Sequence, residues 1–278
     1  MSKRAYRSFE QPPTPNNSAE TDRPQAALRQ LGAKILGVFN SSKQSDHSNA
    51  ELAGQLVKDV GSSTLNKGVL IGDYERRNED SSFNDPSSGL FGVFDGMGGH
   101  YGGANASEAA AMELANYVDK HPISTPRDLQ DVMHRMSEAI RNDPNAGGST
   151  AVLGQIVQNA GQKYLLYAWA GDSRLYHVRK GKANQITEDE GIGNQIYNYL
   201  GIPSNVERPA RTGVLPLQSG DHLLFCSDGI TGDYEKDFIP NDEIAHIVEN
   251  SGSADAAADN LIRRATKKDD RTAIVVEV

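Results

Sequence analysis

A chain of 278 residues that is 37% hydrophobic and 23% charged has the composition of a globular protein, and its length suits one large domain or two small ones. Its 37 acidic and 28 basic residues give a formal charge of −9, which argues against a general nucleic-acid binder, because phosphate contacts need a basic surface. The single cysteine, Cys226, excludes an internal disulfide framework and fits a reducing cytoplasm. The opening MSKRAYRSFEQPPTP lacks the apolar core of a secretory signal, and no apolar run approaches the roughly 20 residues of a membrane span.

Residues 1 to about 64 are rich in Pro, Ser, Asn and Gln. They hold too little apolar material to offset the entropy of ordering, so they read as a disordered or weakly helical tail. Within them, Ala26 to Phe39 (AALRQLGAKILGVF) sets Leu28, Leu31, Ile35 and Val38 on one face of a short amphipathic helix interrupted by Gly32. Such a segment is either a docking element or a transient helix. The expected folded domain is 65–278.

Along that domain, β-branched and aromatic content predicts strands at Gly68–Tyr74, Gly89–Asp95, Ser149–Gln158, Lys163–Ala170, Arg174–Arg179, Arg211–Pro216, His222–Ser227 and Thr272–Val278. Turns at Asn159-Ala160-Gly161 and Lys180-Gly181-Lys182 join consecutive strands and imply antiparallel hairpins. Helices are predicted over Asn105–Lys120 and from Thr125-Pro126, where a capping residue precedes a first-turn proline and the stripe Leu129, Val132, Met133, Met136 and Ile140. Two more helices, Asp242–Asn250 and Ala254–Lys267, precede the last strand. Strands and helices segregate into blocks instead of alternating, which points to antiparallel sheets flanked by helices.

Three strands meet carboxylates at one end: GLFGVFDGMGGH, LLFCSDGI and, reversed, KKDDRTAIVV. A single Asp-Gly reads as well as a turn. Three acidic strand ends, together with Glu79-Asp80 and Asp172, suit a hard divalent cation that wants oxygen ligands, and glycine lets a carbonyl approach it. There is no HExxH pair or Cys/His cluster for zinc, no G-x-S-x-G elbow and no Walker loop. His100 reads as a loop histidine, and Cys226, in an apolar strand beside Asp228, is a poor nucleophile.

The ordered motifs R-N-E-D-S at 77–81, V-F-D-G-M-G-G-H at 93–100, G-G-S-T-A at 147–151, G-D-S-R at 171–174, L-L-F-C-S-D-G at 223–229 and D-D-R-T-A-I-V-V at 269–276 resemble the PPM-type (protein phosphatase 2C-like) metal-dependent serine/threonine phosphatases. Met97 points to the bacterial branch. The resemblance runs from about Gly68 to Val278. It implies an α+β fold, an αββα sandwich of two antiparallel sheets with helical layers outside, and two Mn²⁺ or Mg²⁺ ions at one end. By position, Asp95 would bridge both ions, the Gly96 carbonyl would bind one, and Asp228 and Asp269 would bind the other. Glu79 and Asp80 would hold metal-bound waters, with Asp172 and Asp270 in support. The implied reaction is in-line attack on phosphorus by hydroxide formed at the metals, without a phosphoenzyme. The implied partners are phosphorylated proteins and a cognate serine/threonine kinase.

Three departures from the pattern stand out. Glu75 occupies the place of the usual phosphate-gripping arginine, with Arg76 and then Arg77 following, and Arg76 is the expected replacement. Asn145 stands where an aspartate helps to hold a third ion, with Asp143 nearby, so a third ion is expected to bind poorly. The flap, Ile186 to Leu200, is short. These departures motivate a competing reading, a pseudophosphatase binding module with the same fold.

Overall fold

The computed structural model describes residues 56–65, 70–71, 74–75, 77–97, 102–192, 195–204, 208–232 and 237–278. The segment Ala26–Phe39, Arg76 and His100 lie outside them. In chain order the strands are β1 Asp59–Leu65, β2 Leu70–Ile71, β3 Tyr74–Glu75, β4 Asp80–Asp85, β5 Leu90–Met97, β6 Gly148–Ser149, β7 Ala151–Asn159, β8 Gln162–Ala170, β9 Arg174–Arg179, β10 Lys182–Gln185, β11 Gly191–Ile192, β12 Gln195–Ile196, β13 Arg211–Pro216, β14 His222–Cys226 and β15 Arg271–Glu277. The helices are α1 Gly102–Val118, α2 Pro126–Asn142, α3 Asp228–Thr231, α4 Asn241–Asn250 and α5 Ala254–Arg264.

One sheet runs β1-β15-β14-β9-β10; the other runs β13-β8-β7-β5-β4, with β6 paired to β5. Their pairings are antiparallel. Side chains alternate across each strand. Phe91 and Val93 of β5, Phe225 of β14 and Ile274 and Val276 of β15 therefore fill the space between the sheets. Their neighbours Leu90 and Phe94 face outward against Leu114, Met133 and Ile140 of α1 and α2. On the other side Leu224 and Val275 pack against Val248, Ala258 and Leu261 of α4 and α5. Both faces of the central strands are buried, so these strands read as continuous apolar runs. The layers are αββα, the α+β architecture that the motif order implies.

Local chemistry fixes the ends of elements. Thr125 Oγ1 accepts from the Asp128 N–H at 3.3 Å and Asp128 Oδ2 accepts from the Thr125 N–H at 2.8 Å, a capping box with Pro126 opening α2. The β7–β8 and β9–β10 hairpins turn through Ala160-Gly161 and Lys180-Gly181, each with positive φ at both residues.

Three expectations need correction. Residues 59–65, assigned to the tail, form β1, which pairs with β15 along its whole length from Asp59–Glu277 to Leu65–Arg271. Its DVGSSTL sequence has little β propensity, and tertiary contacts supply the order. A Cβ on Gly61 would sit 2.0 Å from the Asp255 nitrogen, so only glycine lets α5 lie this close. Asp59 Oδ2 also accepts from the Ala254 N–H at 2.8 Å, at the start of α5. Of the strand predicted over Gly68–Tyr74, the described residues are Leu70, Ile71 and Tyr74, and they belong to two short antiparallel strands in which Leu70 pairs with Glu75 and Ile71 with Tyr74. β4 carries no strand signal in its DSSFND sequence, yet it pairs with β5 as an edge strand.

A chain cut before Leu65 is therefore expected to melt lower than one cut before Leu56, by about 5 °C or more, since it loses an edge strand and its helix contact. Equal melting temperatures in differential scanning calorimetry would contradict this role for β1.

Candidate metal centre

The strand register brings the first two carboxylates together. Asp80 of β4 lies opposite Asp95 of β5, and directly opposed residues of antiparallel strands share a face, where like charges repel. The other sheet closes on the same end. Asp80 Oδ2 accepts from Ser227 Oγ at 2.8 Å, and Ser227 Oγ accepts from the Thr272 N–H at 3.1 Å, which ties β4 to the ends of β14 and β15. The Glu79 N–H donates to Asp270 Oδ2 at 2.8 Å, and the Gly96 N–H donates to the Glu79 carbonyl at 3.0 Å. Asp228 opens α3, Asp269 and Asp270 precede β15, and Asp172 lies in the β8–β9 loop. The fields of Asp80, Asp228, Asp269 and Asp172 all reach Asp95.

The backbone of Asp95 is pinned by neighbours whose roles the sequence did not disclose. Its N–H donates to Thr150 Oγ1 at 3.1 Å, and its carbonyl accepts from the Thr150 N–H at 2.8 Å and from Ser149 Oγ at 3.2 Å. Thr150 Oγ1 and Ser173 Oγ share a buried hydrogen bond of 2.6 Å. The available signal was a hydroxyl residue inside each acidic motif: Ser149 and Thr150 in GGSTA, Ser173 in GDSR and Ser227 in CSDG.

Burial and mutual repulsion raise these acids. Asp95 is pushed well above the usual carboxylate range by burial first, then by Asp80, Asp228, Asp269 and Asp172. Burial raises Asp80 to about 7 against the hydrogen bonds from Ser227 and Thr272, with Asp270 and Asp228 adding repulsion. Burial, Asp228 and Asp189 raise Asp172 to about 7, with Lys267 pulling the other way. Acids raised this far by burial and mutual repulsion are a frequent mark of a functional site. Burial pushes the Cys226 thiol up to about 12, which removes it as a nucleophile.

The donor set fits a hard cation. Apart from the Lys267 ammonium, the side chains brought together here are carboxylates and hydroxyls, and Asp80 Oδ1 and Asp172 Oδ1 are buried oxygens without a hydrogen-bond partner. Among the described residues no three acidic, histidine or cysteine side chains already converge tightly enough to hold an ion. Instead the Lys267 ammonium contacts Asp228 Oδ2 and lies 3.2 Å from Asp269 Oδ2.

Two glycines set the approach of α1 to this edge. A Cβ on Gly103 would sit 2.7 Å from the Gly96 carbonyl oxygen and 2.4 Å from Glu79 Oε1, and one on Gly96 would sit 2.1 Å from the Gly103 oxygen. Gly103→Ala should therefore destabilise the protein by about 1–3 kcal/mol, although alanine favours a helix interior by about 1 kcal/mol. A denaturant midpoint at or above that of the wild type would contradict the close approach.

The three departures resolve as follows. Arg77 pairs with Glu108 of α1 and lies 3.5 Å from Asn105 Oδ1, so it is held against the helix. Asp143 Oδ1 accepts from the Asn145 N–H at 2.8 Å, which closes the turn after α2. The short flap is anchored. Arg174 grips Asp189 through two nitrogens at 3.0 and 2.6 Å, buried Glu190 accepts from Asn198 at 2.6 Å and from the Gly171 N–H at 3.3 Å, and Trp169 Nε1 donates to the Glu188 carbonyl. A cavity of about 310 Å³ lined by Met133 and Ser137 of α2 with Asn198, Tyr199, Leu200 and Arg208 contains none of the acidic cluster.

Residues 90–278 match the Stage II sporulation protein E (SpoIIE) family. The chain is 26% identical over 219 residues to the serine/threonine phosphatase stp of Listeria monocytogenes, covering 66% of this chain and 82% of that protein. It is similar in structure to PppA of Pseudomonas aeruginosa, with a TM-score of 0.62 and 25% identity over 80% of this chain and 98% of that one. It also shares the fold of the catalytic domain of the serine/threonine phosphatase PstP, solved with two manganese ions, with a TM-score of 0.59 and 24% identity over 78% of this chain and 96% of that one. With the match spanning more than half its length, the chain belongs to the Stage II sporulation protein E (SpoIIE) family and is a bacterial PPM-type protein phosphatase.

Proposed function

We propose that this protein hydrolyses phosphoserine and phosphothreonine on other proteins, using two Mn²⁺ or Mg²⁺ ions held at the acidic edge. The observation that carries the reading is the gathering of Asp80, Asp95, Asp228, Asp269 and Asp270 at one end of the sandwich, where Asp80 lies opposite a half-buried Asp95, Ser227 donates to Asp80, Asp270 accepts from the Glu79 N–H and the Lys267 ammonium spans Asp228 and Asp269. So concentrated a negative charge is tolerable chiefly beside cations. The relatives named as serine/threonine phosphatases, and the two manganese ions of PstP, support it.

In this reading Asp95 would serve both ions, the Gly96 carbonyl would serve one of them, and Asp228 and Asp269 would serve the other. When bound, the ions supply Lewis acidity and make water acidic enough to ionise near neutral pH. Glu79 and Asp80 would orient the attacking water, and Asp270 Oδ2 steadies Glu79 by accepting from its backbone N–H. Asp172 supports the same edge. Attack by water without a phosphoenzyme agrees with Cys226 being buried and inert. Arg76 grips the substrate phosphate; Arg77, paired with Glu108, is less available for that task. An edge site suits a phosphorylated segment of a folded protein, and the natural substrates are the products of a cognate serine/threonine kinase. No helix among the described residues is long and apolar enough to cross a membrane, which is compatible with work in the cytoplasm.

The test is hydrolysis by the purified protein with Mn²⁺. A phosphothreonine peptide and p-nitrophenyl phosphate should both turn over, a phosphotyrosine peptide should lag, and EDTA should stop all of it. Absence of turnover with every divalent ion tried would favour the binding-module reading instead.

A further inference from the structure

We propose that Lys267 is a tethered counter-ion, holding the cation position between Asp228 and Asp269 until a divalent ion displaces it. This rests on the two-cation reading above. The Lys267 Nζ contacts Asp228 Oδ2 and lies 3.2 Å from Asp269 Oδ2, and these are the two carboxylates assigned to one ion. The Lys267 and Asp228 side chains are each only 15% exposed, so water screens the pair far less than it would on the surface.

The loop that carries Lys267 is fixed. The Arg271 guanidinium, itself buried, donates from Nη2 to the Lys267 carbonyl at 2.7 Å and from Nη1 to the Ile262 carbonyl at 2.9 Å. The Ala265 N–H donates to the Leu261 carbonyl at 3.0 Å, closing α5 just before it. Lysine suits this role because its charge is compact and its four-carbon stem can swing away; a planar guanidinium would hold the carboxylates in a fork.

Two consequences follow. The metal-free edge is less repulsive than its carboxylates alone would make it. An ion entering between Asp228 and Asp269 gains only the difference between its own attraction and that of the ammonium, whereas an ion held mainly by Asp95 and Gly96 faces no such competitor. The two ions therefore bind with unequal affinity, and the weaker site is the one that Lys267 guards.

The experiment is calorimetric titration of Mn²⁺ into the metal-free full chain, comparing wild type with Lys267→Met, Lys267→Gln and the exposed neighbour Lys268→Met, each checked for native circular dichroism. Both Lys267 variants should tighten the weaker binding event by about tenfold or more, equivalent to about 1.4 kcal/mol, and leave the stronger one within about twofold. Lys268→Met should match wild type. Metal-free Lys267→Met should also melt below metal-free wild type at neutral pH, because a counter-ion has been lost. Unchanged or weakened Mn²⁺ binding in folded Lys267→Met and Lys267→Gln would overturn the counter-ion role while leaving the two-cation reading in place. Absence of Mn²⁺ binding in wild type and all variants would overturn the two-cation reading itself.

Discussion

Asp95→Asn is expected to lose hydrolysis of p-nitrophenyl phosphate by about 10³-fold or more while gaining stability in the metal-free state. The first half follows from the proposed role of Asp95 in holding the ions, since loss of a single electrostatic stabiliser commonly costs two to three decades in rate. The second half follows from the field around it. Burial and four neighbouring carboxylates raise Asp95, so its negative charge opposes folding, and the neutral amide removes that repulsion at nearly constant volume. Its backbone hydrogen bonds with Ser149 and Thr150 do not involve the side chain that changes. A melting temperature about 3 °C above metal-free wild type is expected at pH 8. Loss of activity together with a lower melting temperature would mean that Asp95 is a structural residue, and retained activity would remove it from the chemistry. Asp228→Asn should lose activity similarly but gain less stability, because it also breaks the contact with Lys267.

The metal-free protein is also expected to be more stable at pH 5 than at pH 8, with Mn²⁺ removing most of that difference. Asp80 and Asp172 each rise from an ordinary 3.8 to about 7. Between those values the folded chain holds protons that the unfolded chain has released, so stability is greatest near pH 4 and falls as pH rises through about 7. In the limit each group is worth about 4 kcal/mol. Asp221 works in the opposite sense, since hydrogen bonds from Arg179 and His177 overcome its burial and hold it low, but its contribution is lost only as pH falls below 4. Divalent ions bind the deprotonated carboxylates. Mn²⁺ should therefore raise the melting temperature by about 5 °C or more at pH 8 and by little at pH 5. A metal-free melting temperature that is flat or rising from pH 5 to pH 7.5 would contradict this electrostatic picture.

Much of this site was legible in the sequence because its residues end strong strands. Gly-Leu-Phe-Gly-Val-Phe before Asp95 and Leu-Leu-Phe-Cys-Ser before Asp228 are short apolar runs that read as buried strands, and the structure places an acid at the end of each. Other parts depend on contacts distant in sequence. β1 and β4 carry weak local propensity and exist because β15 and β5 offer unpaired edges, so neither the strand at 59–65 nor the opposition of Asp80 and Asp95 was visible. Gly103 lies outside the helix predicted over Asn105–Lys120, and its closeness to the Gly96 carbonyl is set by the fold. Lys267 is the last residue of the helix predicted over Ala254–Lys267, whereas the helix ends at Arg264, Arg271 holds the Lys267 carbonyl and the ammonium reaches Asp228 and Asp269. Charge placement of that kind is a property of the folded chain.

The central claim, that this acidic edge is a two-cation centre, is tested most directly by titrating Mn²⁺ into metal-free protein at pH 7.5 in a calorimeter. Two binding events per chain are predicted, with at least one abolished in Asp95→Asn and the weaker one lost in Asp228→Asn. An isotherm without Mn²⁺-dependent heat, or isotherms unchanged in both variants, would contradict it.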